Sequence, residues 1–238
     1  MKIALCGYNW AGCMALKALI NLGYDVVVFT HEPPSYVPSL LDYSKKEGVE
    51  VFTSSINDYE KLDEIYAICS IYYRNLISEK VLKCVNYRAM NLHPSLLPEY
   101  KGCSSLTWAM IEGEAKSGFS YHYIQRDFDT GNILLQEEIE ILPFDLQLNL
   151  YQRVMFFALR KFPDALALLI SGYAGIPQEK GGQYFYRGAP YNGQIDENWS
   201  FDKKERFIRA MVNPPLPYAK LGDKEIKSIG DLNYEDNN

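Results

Sequence analysis

One histidine of the chain lies where catalytic chemistry is expected. Asn91 and His93 come at the end of a predicted buried strand, Arg88–Asn91, and Pro94 then ends the extended segment. Side chains two apart on an extended segment point to the same side, so the amide and the imidazole reach one place while Leu92 anchors the segment in the core. Ligands bind at the carboxyl edge of open α/β sheets, which favours a functional pair over a strand end with ordinary polar caps.

An imidazole that moves protons needs a partner to fix its tautomer, and a carboxylate is the usual choice. The loop between the two later strands supplies Asp127 and Asp129. Asp129 stands in a tight Asp-Thr-Gly turn, where an aspartate alone would serve as an Asx-turn acceptor. Of the other histidines, His31 follows a strand, where an ordinary loop residue and a substrate contact both stay open. His122 lies mid-strand, which favours a structural role.

The elements that must position these residues alternate between strand and helix. β-Branched runs such as Asp25–Thr30 are typical of strands buried on both faces of a parallel sheet, whereas Ser117–Gln125 and Asn132–Ile141 form a hairpin-like pair. We therefore predict an α/β fold: a Rossmann-like, open, mixed but mostly parallel sheet flanked by helices, with a short C-terminal extension. The earlier strands are predicted at Lys2–Cys6, Asp25–Thr30, Glu50–Phe52, Ile68–Ile71 and Arg88–Asn91. The first helix is predicted from the apolar spacing between Ala11 and Leu22, and the others are predicted at Val37–Glu47, Asn57–Ile65, Ser78–Val85, Leu106–Glu112, Leu148–Ser171 and Asp202–Met211.

A change of composition marks a predicted boundary near Gly175. The long helical pattern Leu148–Ser171 precedes it, and the residues beyond Gly172 are rich in Gly, Tyr, Gln and Pro. We expect a catalytic domain over residues 1–175 and an extension over residues 176–238, which is too short for a large core of its own and packs on the domain.

Composition and charge exclude several classes of function. The 238 residues carry 24 basic and 30 acidic side chains, a net charge of −6, which argues against a protein that grips nucleic acid by charge. No apolar run is long enough for a membrane span and no export signal is evident, so we expect a cytoplasmic protein. The five cysteines have no metal-ligand spacing, and the turn Gly7–Gly12 lacks the middle glycine of a dinucleotide fingerprint and holds the bulky Trp10. We expect neither a bound metal nor NAD.

Two separated motifs together resemble one enzyme family. The segment AMNLHPSLLPEYKG at Ala89–Gly102 is followed 27 residues later by DTG at Asp129–Gly131, with Trp108 and Gly113-Glu114 between them. This ordered pattern resembles the 10-formyltetrahydrofolate-dependent formyltransferases. VVVFTHEPP at Val26–Pro34 and IYYRNLIS at Ile71–Ser78 are similar to the domain that acts on UDP-4-amino-4-deoxy-arabinose.

The resemblance implies a role for each matching residue. Asn91 would stabilise the oxyanion that forms when an amine attacks the formyl carbonyl. His93 would accept the amine proton or help stabilise the intermediate, and Asp129 would hold His93 and tune its charge. The formyl donor, 10-formyltetrahydrofolate, would be held largely by backbone groups, which carry over to Arg74, Leu76, Ile124, Asp127 and Asp129. No metal is required.

Three acceptors compete within this family. An enzyme that formylates methionyl-tRNA would carry a basic C-terminal domain, whereas this tail ends with the acidic residues Asp231, Glu235 and Asp236. An enzyme that formylates glycinamide ribonucleotide would have no use for the tail. A nucleotide-linked amino sugar fits best, because the tail offers rings and cations at Tyr184, Tyr186, Arg187, Trp199 and Arg209.

Among amino sugars, the best match is dTDP-4-amino-4,6-dideoxyglucose, used in bacterial surface polysaccharide (O-antigen) synthesis, with UDP-4-amino-4-deoxy-arabinose as the alternative. An inactive folate- or nucleotide-binding module is the non-enzymatic alternative, which the presence of Asn91, His93 and Asp129 disfavours. The partners expected are therefore a small nucleotide sugar and, as one option, a second copy in a homodimer, with no nucleic acid and no membrane.

Overall fold

The computed structural model describes residues 1–232, so the predicted acidic residues Glu235 and Asp236 lie outside the described residues. The chain divides into two compact units. The first comprises Met1–His93, Ser120–Gln136 and Phe157–Gln178, and the second comprises Pro94–Phe119, Glu137–Phe156 and the described residues from Glu179 onward. Because the two units take interleaved stretches of the chain, the linear boundary near Gly175 stays a prediction.

The candidate site lies on a seven-stranded sheet. Each strand of this sheet includes residues of the first unit. The strands of the chain are β1 Lys2–Gly7, β2 Asp25–Phe29, β3 Glu50–Phe52, β4 Ile65–Ile71, β5 Ala89–His93, β6 Lys101–Gly102, β7 Lys116–Tyr123, β8 Ile133–Glu140, β9 Tyr184–Phe185, β10 Ala219–Leu221 and β11 Lys224–Ile226. The sheet order is β3-β2-β1-β4-β5-β7-β8; the pairs from β3 to β5 are parallel and β5 pairs with β7 antiparallel. The predicted mixed, mostly parallel sheet is confirmed. Its central strands are buried, as their β-branched composition predicts.

Six α-helices accompany the strands within residues 1–232, and three of them begin at a serine cap. They are α1 Asn9–Asn21, α2 Leu40–Lys46, α3 Glu79–Cys84, α4 Ser105–Glu112, α5 Gln147–Ser171 and α6 Phe201–Ala210. The hydroxyls of Ser39, Ser78 and Ser200 accept hydrogen bonds from the third residue of α2, α3 and α6, which satisfies one of the unpaired amides at each helix start. No helix within residues 1–232 combines the length and apolar character needed to cross a bilayer.

The prediction of a helix over Asn57–Ile65 is wrong. Two short 3₁₀ turns, Ile56–Asp58 and Leu62–Glu64, occupy this stretch. The Asn57 side chain donates to the Leu76 carbonyl at 2.7 Å and accepts from the Ser78 amide at 2.9 Å, and the Ile56 amide donates to the Tyr73 hydroxyl. These side-chain bonds compete with helix formation and tie the stretch to the loop that follows β4.

The tail residues of the second unit pack on the segment that follows β5. Strand β9 pairs in parallel with β6, and α6 packs against α4. The Trp108 ring stacks on Phe185 with 4.5 Å between centroids. A Cβ on Gly182, which has φ +75°, would lie 1.7 Å from the Pro98 carbonyl oxygen, so this close approach requires glycine.

Asp145 is a buried and hydrogen-bonded carboxylate of the second unit, and its loss should destabilise the fold. Both carboxylate oxygens accept from the Arg153 guanidinium, and the Leu142 amide donates to one of them at 2.8 Å. Burial alone would raise the pKa of Asp145, but these hydrogen bonds outweigh burial and lower the pKa. We expect Asp145→Asn to reduce the free energy of unfolding at pH 7 by about 2 kcal/mol in urea denaturation.

The same variant should show a defined pH dependence. Because the folded pKa of Asp145 is lowered, its stabilisation is present above about pH 4, the range in which an aspartate of the unfolded chain titrates, and is lost as the pH falls through the folded pKa. The difference between wild type and Asp145→Asn should therefore shrink below pH 4. Glu138→Gln, which removes a 2.6 Å pair with Lys116 between two exposed side chains, is the control and should lower the free energy of unfolding much less, because solvent screens an exposed ion pair. Equal losses of unfolding free energy in Asp145→Asn and Glu138→Gln would contradict the stabilising role of the buried Asp145 carboxylate.

Candidate active site

The carboxyl end of β5 places Asn91 and His93 side by side in the first unit. The antiparallel register pairs Asn91 with His122 and His93 with Ser120 of β7. His93 is buried, with 4% of its surface exposed, and Asn91 is partly buried. The strand thus holds an amide and an imidazole in the protected setting that the sequence predicts.

Asp129 joins this pair from the loop between β7 and β8. One carboxylate oxygen, Oδ2, lies 3.6 Å from Nδ1 of His93, and the other, Oδ1, lies 3.5 Å from Nε2 of His122. The Asp129 side chain is 12% exposed. At these distances the carboxylate acts on both rings through its charge, because a short hydrogen bond would need about 3 Å. The three residues that the sequence singles out are brought together.

Two further residues fix the orientation of the Asn91 amide. Nδ1 of His122 faces the Tyr123 carbonyl at 2.9 Å and must therefore carry a hydrogen, and Nε2 lies 3.2 Å from the Asn91 Nδ2, an N–H donor. The Asn91 Oδ1 accepts from the Ser70 hydroxyl at 2.8 Å. The Asn91 amide nitrogen keeps one N–H for a ligand.

No sequence pattern marks Ser70, which lies on β4 opposite Asn91, and the only signal for it is the strand register. The sequence favours a structural role for His122, and the ring is buried with both nitrogens in hydrogen-bond contact. Its contact with the Asn91 amide, near the Asp129 carboxylate, is what the sequence does not indicate.

The residues predicted to hold the formyl donor occupy two loops of the first unit. Leu76 is 57% exposed, and its carbonyl accepts from Asn57. Within residues 1–232 the Leu76 amide and the Ile124 carbonyl form no backbone–backbone hydrogen bond. Asp127 is exposed, and its carbonyl accepts from the Thr130 hydroxyl at 2.9 Å.

Arg74 sits in a small aromatic cluster in the same loop. Its guanidinium lies 4.3 Å above the Tyr8 ring, and its amide donates to Nε2 of His31 at 3.4 Å. The His31 ring stacks on Tyr73. Burial, together with the Arg74 charge, lowers the pKa of His31, which keeps the ring neutral and able to accept this bond.

The residues predicted to bind the acceptor all lie in the second unit, in different settings. The ring centroids of Tyr184 and Tyr186 lie 5.0 Å apart. Tyr186 is 82% exposed, and Arg187 is exposed as well. Trp199 is partly buried against Tyr191 and Phe207. Arg209 donates to the Glu205 carboxylate and to the Asp145 carbonyl, so its guanidinium is already engaged.

Comparison with known proteins places this site in a family. A model of the family described as "Formyl transferase" matches residues 26–166. The GDP-perosamine N-formyltransferase of Brucella melitensis is 34% identical over 229 residues, which cover 92% of this chain and 88% of that protein.

Solved structures share the fold. WlaRD, a sugar 3N-formyl transferase crystallised in the presence of dTDP and 5-N-formyl-THF, has a TM-score of 0.80 at 22% identity, covering 95% of this chain and 85% of that chain. Glycinamide ribonucleotide transformylase 1 of Symbiobacterium toebii has a TM-score of 0.63 at 22% identity, covering 75% of this chain and 93% of that chain. The resemblance noted in the two separated motifs is confirmed: the chain belongs to the formyl transferase family, and it is an enzyme of that family.

Proposed function

We propose that this enzyme transfers the formyl group of 10-formyltetrahydrofolate to the amine of a nucleotide-linked amino sugar. The observation that carries the proposal is the convergence of Asn91, His93 and Asp129 at one sheet edge, in a chain of the formyl transferase family. These three residue types meet the needs of acyl transfer to an amine: a donor for developing negative charge, a base for the amine proton, and a carboxylate that stabilises the protonated base.

Each side chain has a defined part in the proposed reaction. The donor supplies an electrophilic formyl carbon when it is bound. The remaining Asn91 N–H stabilises the charge that develops on the formyl oxygen, since Ser70 and His122 already fix the other positions of the amide. His93 presents Nδ1 to Asp129, and we assign proton transfer to its other nitrogen, Nε2. Nε2 would take the amine proton as the new C–N bond forms, and would give it to the donor nitrogen when the bond between that nitrogen and the formyl carbon breaks and tetrahydrofolate leaves. Asp129 stabilises the resulting imidazolium.

The acceptor assignment has two supports besides the residues of the tail. The relative that is 34% identical over nearly the whole chain is named for GDP-perosamine, a nucleotide-linked substrate. The sugar enzyme WlaRD covers 95% of this chain, whereas the glycinamide ribonucleotide enzyme covers 75%, so the tail has its structural counterpart in the sugar enzyme. The net charge of −6 argues against tRNA.

Within the tail, Tyr184, Tyr186 and Arg187 are the proposed nucleotide contacts, because their rings and guanidinium group are exposed. Trp199 is also a proposed contact, although its ring already packs against the Tyr191 and Phe207 rings. Arg209 would first have to leave its bonds to Glu205 and Asp145, which favours a structural role for it.

The specific acceptor proposed from the sequence is dTDP-4-amino-4,6-dideoxyglucose, in bacterial surface polysaccharide synthesis. GDP-perosamine is a second candidate, favoured by the name of the 34% identical relative. Both carry a sugar amine on a nucleoside diphosphate, and they differ in the base and in the sugar, so a direct comparison separates them.

The test is a mass-spectrometric screen of the purified chain with 10-formyltetrahydrofolate. The acceptors are the two sugar nucleotides above, UDP-4-amino-4-deoxy-arabinose, glycinamide ribonucleotide and methionyl-tRNA. We expect the mass of one formyl group to be added to a sugar nucleotide and to neither of the last two. Parallel reactions with His93→Ala control for uncatalysed formylation. Product from glycinamide ribonucleotide or methionyl-tRNA alone would refute the acceptor class, and no product from any acceptor with folded protein would refute the activity.

A further inference from the structure

Gln178 holds the loop that carries Asp129, although it lies 49 residues further along the chain. Its side-chain nitrogen Nε2 donates to two backbone carbonyls of that loop, to Asp129 at 2.9 Å and to Gly131 at 2.8 Å. One amide group therefore bridges both ends of the Asp-Thr-Gly turn. No local sequence pattern marks this residue.

The Asp-Thr-Gly turn has a backbone that needs such support. Asp129 has φ +55°, a left-handed conformation that costs a non-glycine residue free energy unless its surroundings impose it. Gly131 packs so closely on β7 that an added Cβ would lie 1.9 Å from the Tyr123 carbonyl oxygen. The turn is thus pressed against the strand on one side and bonded to Gln178 on the other.

The segment that carries Gln178 is itself anchored to the same region of the sheet. The Tyr123 hydroxyl donates to the Tyr173 carbonyl at 2.6 Å, and the Asn132 side chain donates to the Ala174 carbonyl at 2.9 Å. Ile133 and Ile176 exchange two backbone hydrogen bonds of 2.8 Å. Gln178 therefore bonds to the turn from a fixed base.

The orientation of the Gln178 amide is also determined. Its oxygen Oε1 is buried and has no hydrogen-bond partner among the described residues. A flipped amide would place this oxygen against two carbonyl oxygens, so the observed orientation is the only one that makes these bonds. Keeping an unpaired buried oxygen costs free energy, and the bonds to Asp129 and Gly131 offset that cost.

We propose that Gln178 is a positioning residue for formyl transfer, which keeps the Asp129 carboxylate beside His93 by fixing the backbone of the turn. It acts through Asp129 and has no contact of its own with the reacting groups in this assignment. The kinetic part of the test rests on the proposed function, because it needs an acceptor.

Gln178→Ala removes both hydrogen bonds and should lower kcat by about 10- to 100-fold, while KM for donor and acceptor changes by less than about 2-fold. In a background of Asp129→Ala the same change should lower kcat by less than about 2-fold, because the group through which Gln178 acts is gone. Gln178→Glu would place a carboxylate against two carbonyl oxygens, so its kcat should be at least as low as that of Gln178→Ala.

Asn132→Ala is the matched control. It deletes one side-chain hydrogen bond that ties the same two segments together, without touching the carbonyls of the turn. We expect Asn132→Ala to keep kcat within about 3-fold of wild type, even if its melting temperature falls as far as that of Gln178→Ala. If the two variants lose equal activity, Gln178 contributes only general stability and the proposal is wrong.

A second readout needs no substrate. The chain has three histidines, so ¹⁵N NMR of the histidine-labelled protein resolves the tautomer of each ring. The Asp129 carboxylate near Nδ1 favours the His93 tautomer with hydrogen on Nδ1. Gln178→Ala should shift His93 toward the other tautomer, as Asp129→Ala does, whereas Asn132→Ala should not.

The outcomes separate the two proposals. An unchanged His93 tautomer in Gln178→Ala, or an equal loss of kcat with and without Asp129, overturns the positioning role. If the wild type formylates no sugar nucleotide, the proposed function fails, and the NMR comparison still decides the role of Gln178.

Discussion

Replacing His93 by alanine should lower kcat for formyl transfer by about 1,000-fold, and replacing Asp129 should cost about 100-fold or more. The reason is the shared site: the His93 ring is buried, and the Asp129 carboxylate lies 3.6 Å from its Nδ1. Without the imidazole no other group on β5 can take the amine proton, and without the carboxylate the imidazolium loses its counter-charge.

The decisive measurement is the double variant. Groups that act as a unit lose activity non-additively, so His93→Ala combined with Asp129→Ala should be scarcely slower than His93→Ala alone. Circular dichroism must show that each variant is folded, since both side chains are largely buried. Asp63→Ala, at an exposed aspartate in a 3₁₀ turn, is the control and should leave kcat unchanged. Full activity in Asp129→Ala, or additive losses in the double variant, would remove Asp129 from the proposed unit.

The sequence predicts the core of this site because the relevant signal is local. Asn91 and His93 are two residues apart on one strand, and the pleat alone places them on one face. Pro94 and the β-branched strands before it mark the sheet edge, so the position of the pair follows from the predicted fold. Asp129 is less local: residue chemistry offers Asp127 and Asp129 as possible carboxylate partners of His93, and the resemblance to a family selects Asp129 between them.

The residues that the sequence could not predict depend on register and on distant segments. Ser70 reaches Asn91 only because β4 and β5 pair in one particular register, and His122 does so through the pairing of β5 with β7. A shift by one residue would turn each side chain to the other face, and no local pattern fixes that shift. Gln178 reaches the turn from beyond a 25-residue helix, a placement that tertiary packing alone decides.

The wrongly predicted helix over Asn57–Ile65 has a similar cause. Its apolar spacing suits a helix, yet Asn57 bonds to Leu76 and Ser78, which lie about 20 residues away. Those bonds exist only in the folded chain, so helix propensity is overridden by tertiary contacts. The consequence is functional, because Asn57 supports the loop proposed to hold the donor.

Asn91→Ala should lower kcat by about 100- to 1,000-fold, which corresponds to about 3 to 4 kcal/mol of transition-state stabilisation. The formyl oxygen gains charge only as the amine attacks, so the Asn91 N–H helps the transition state more than the ground state. KM for donor and acceptor should therefore change little. Asn21→Ala, at an exposed position at the end of α1, is the control for the loss of an amide side chain.

The role of the Asn91 amide can be separated from mere packing by Ser70→Ala. This variant keeps every group of Asn91 but removes the hydroxyl that bonds to its Oδ1, so the amide is free to rotate away from the productive orientation. We expect a loss in kcat of about 10-fold for Ser70→Ala alone and almost none when it is added to Asn91→Ala. Asn91→Asp should be at least as slow as Asn91→Ala, because it replaces the donor N–H by an oxygen that repels the developing charge. An active Asn91→Asp variant would show that the developing charge is stabilised by another group, and Asn91 would then be only the partner that links Ser70 to His122.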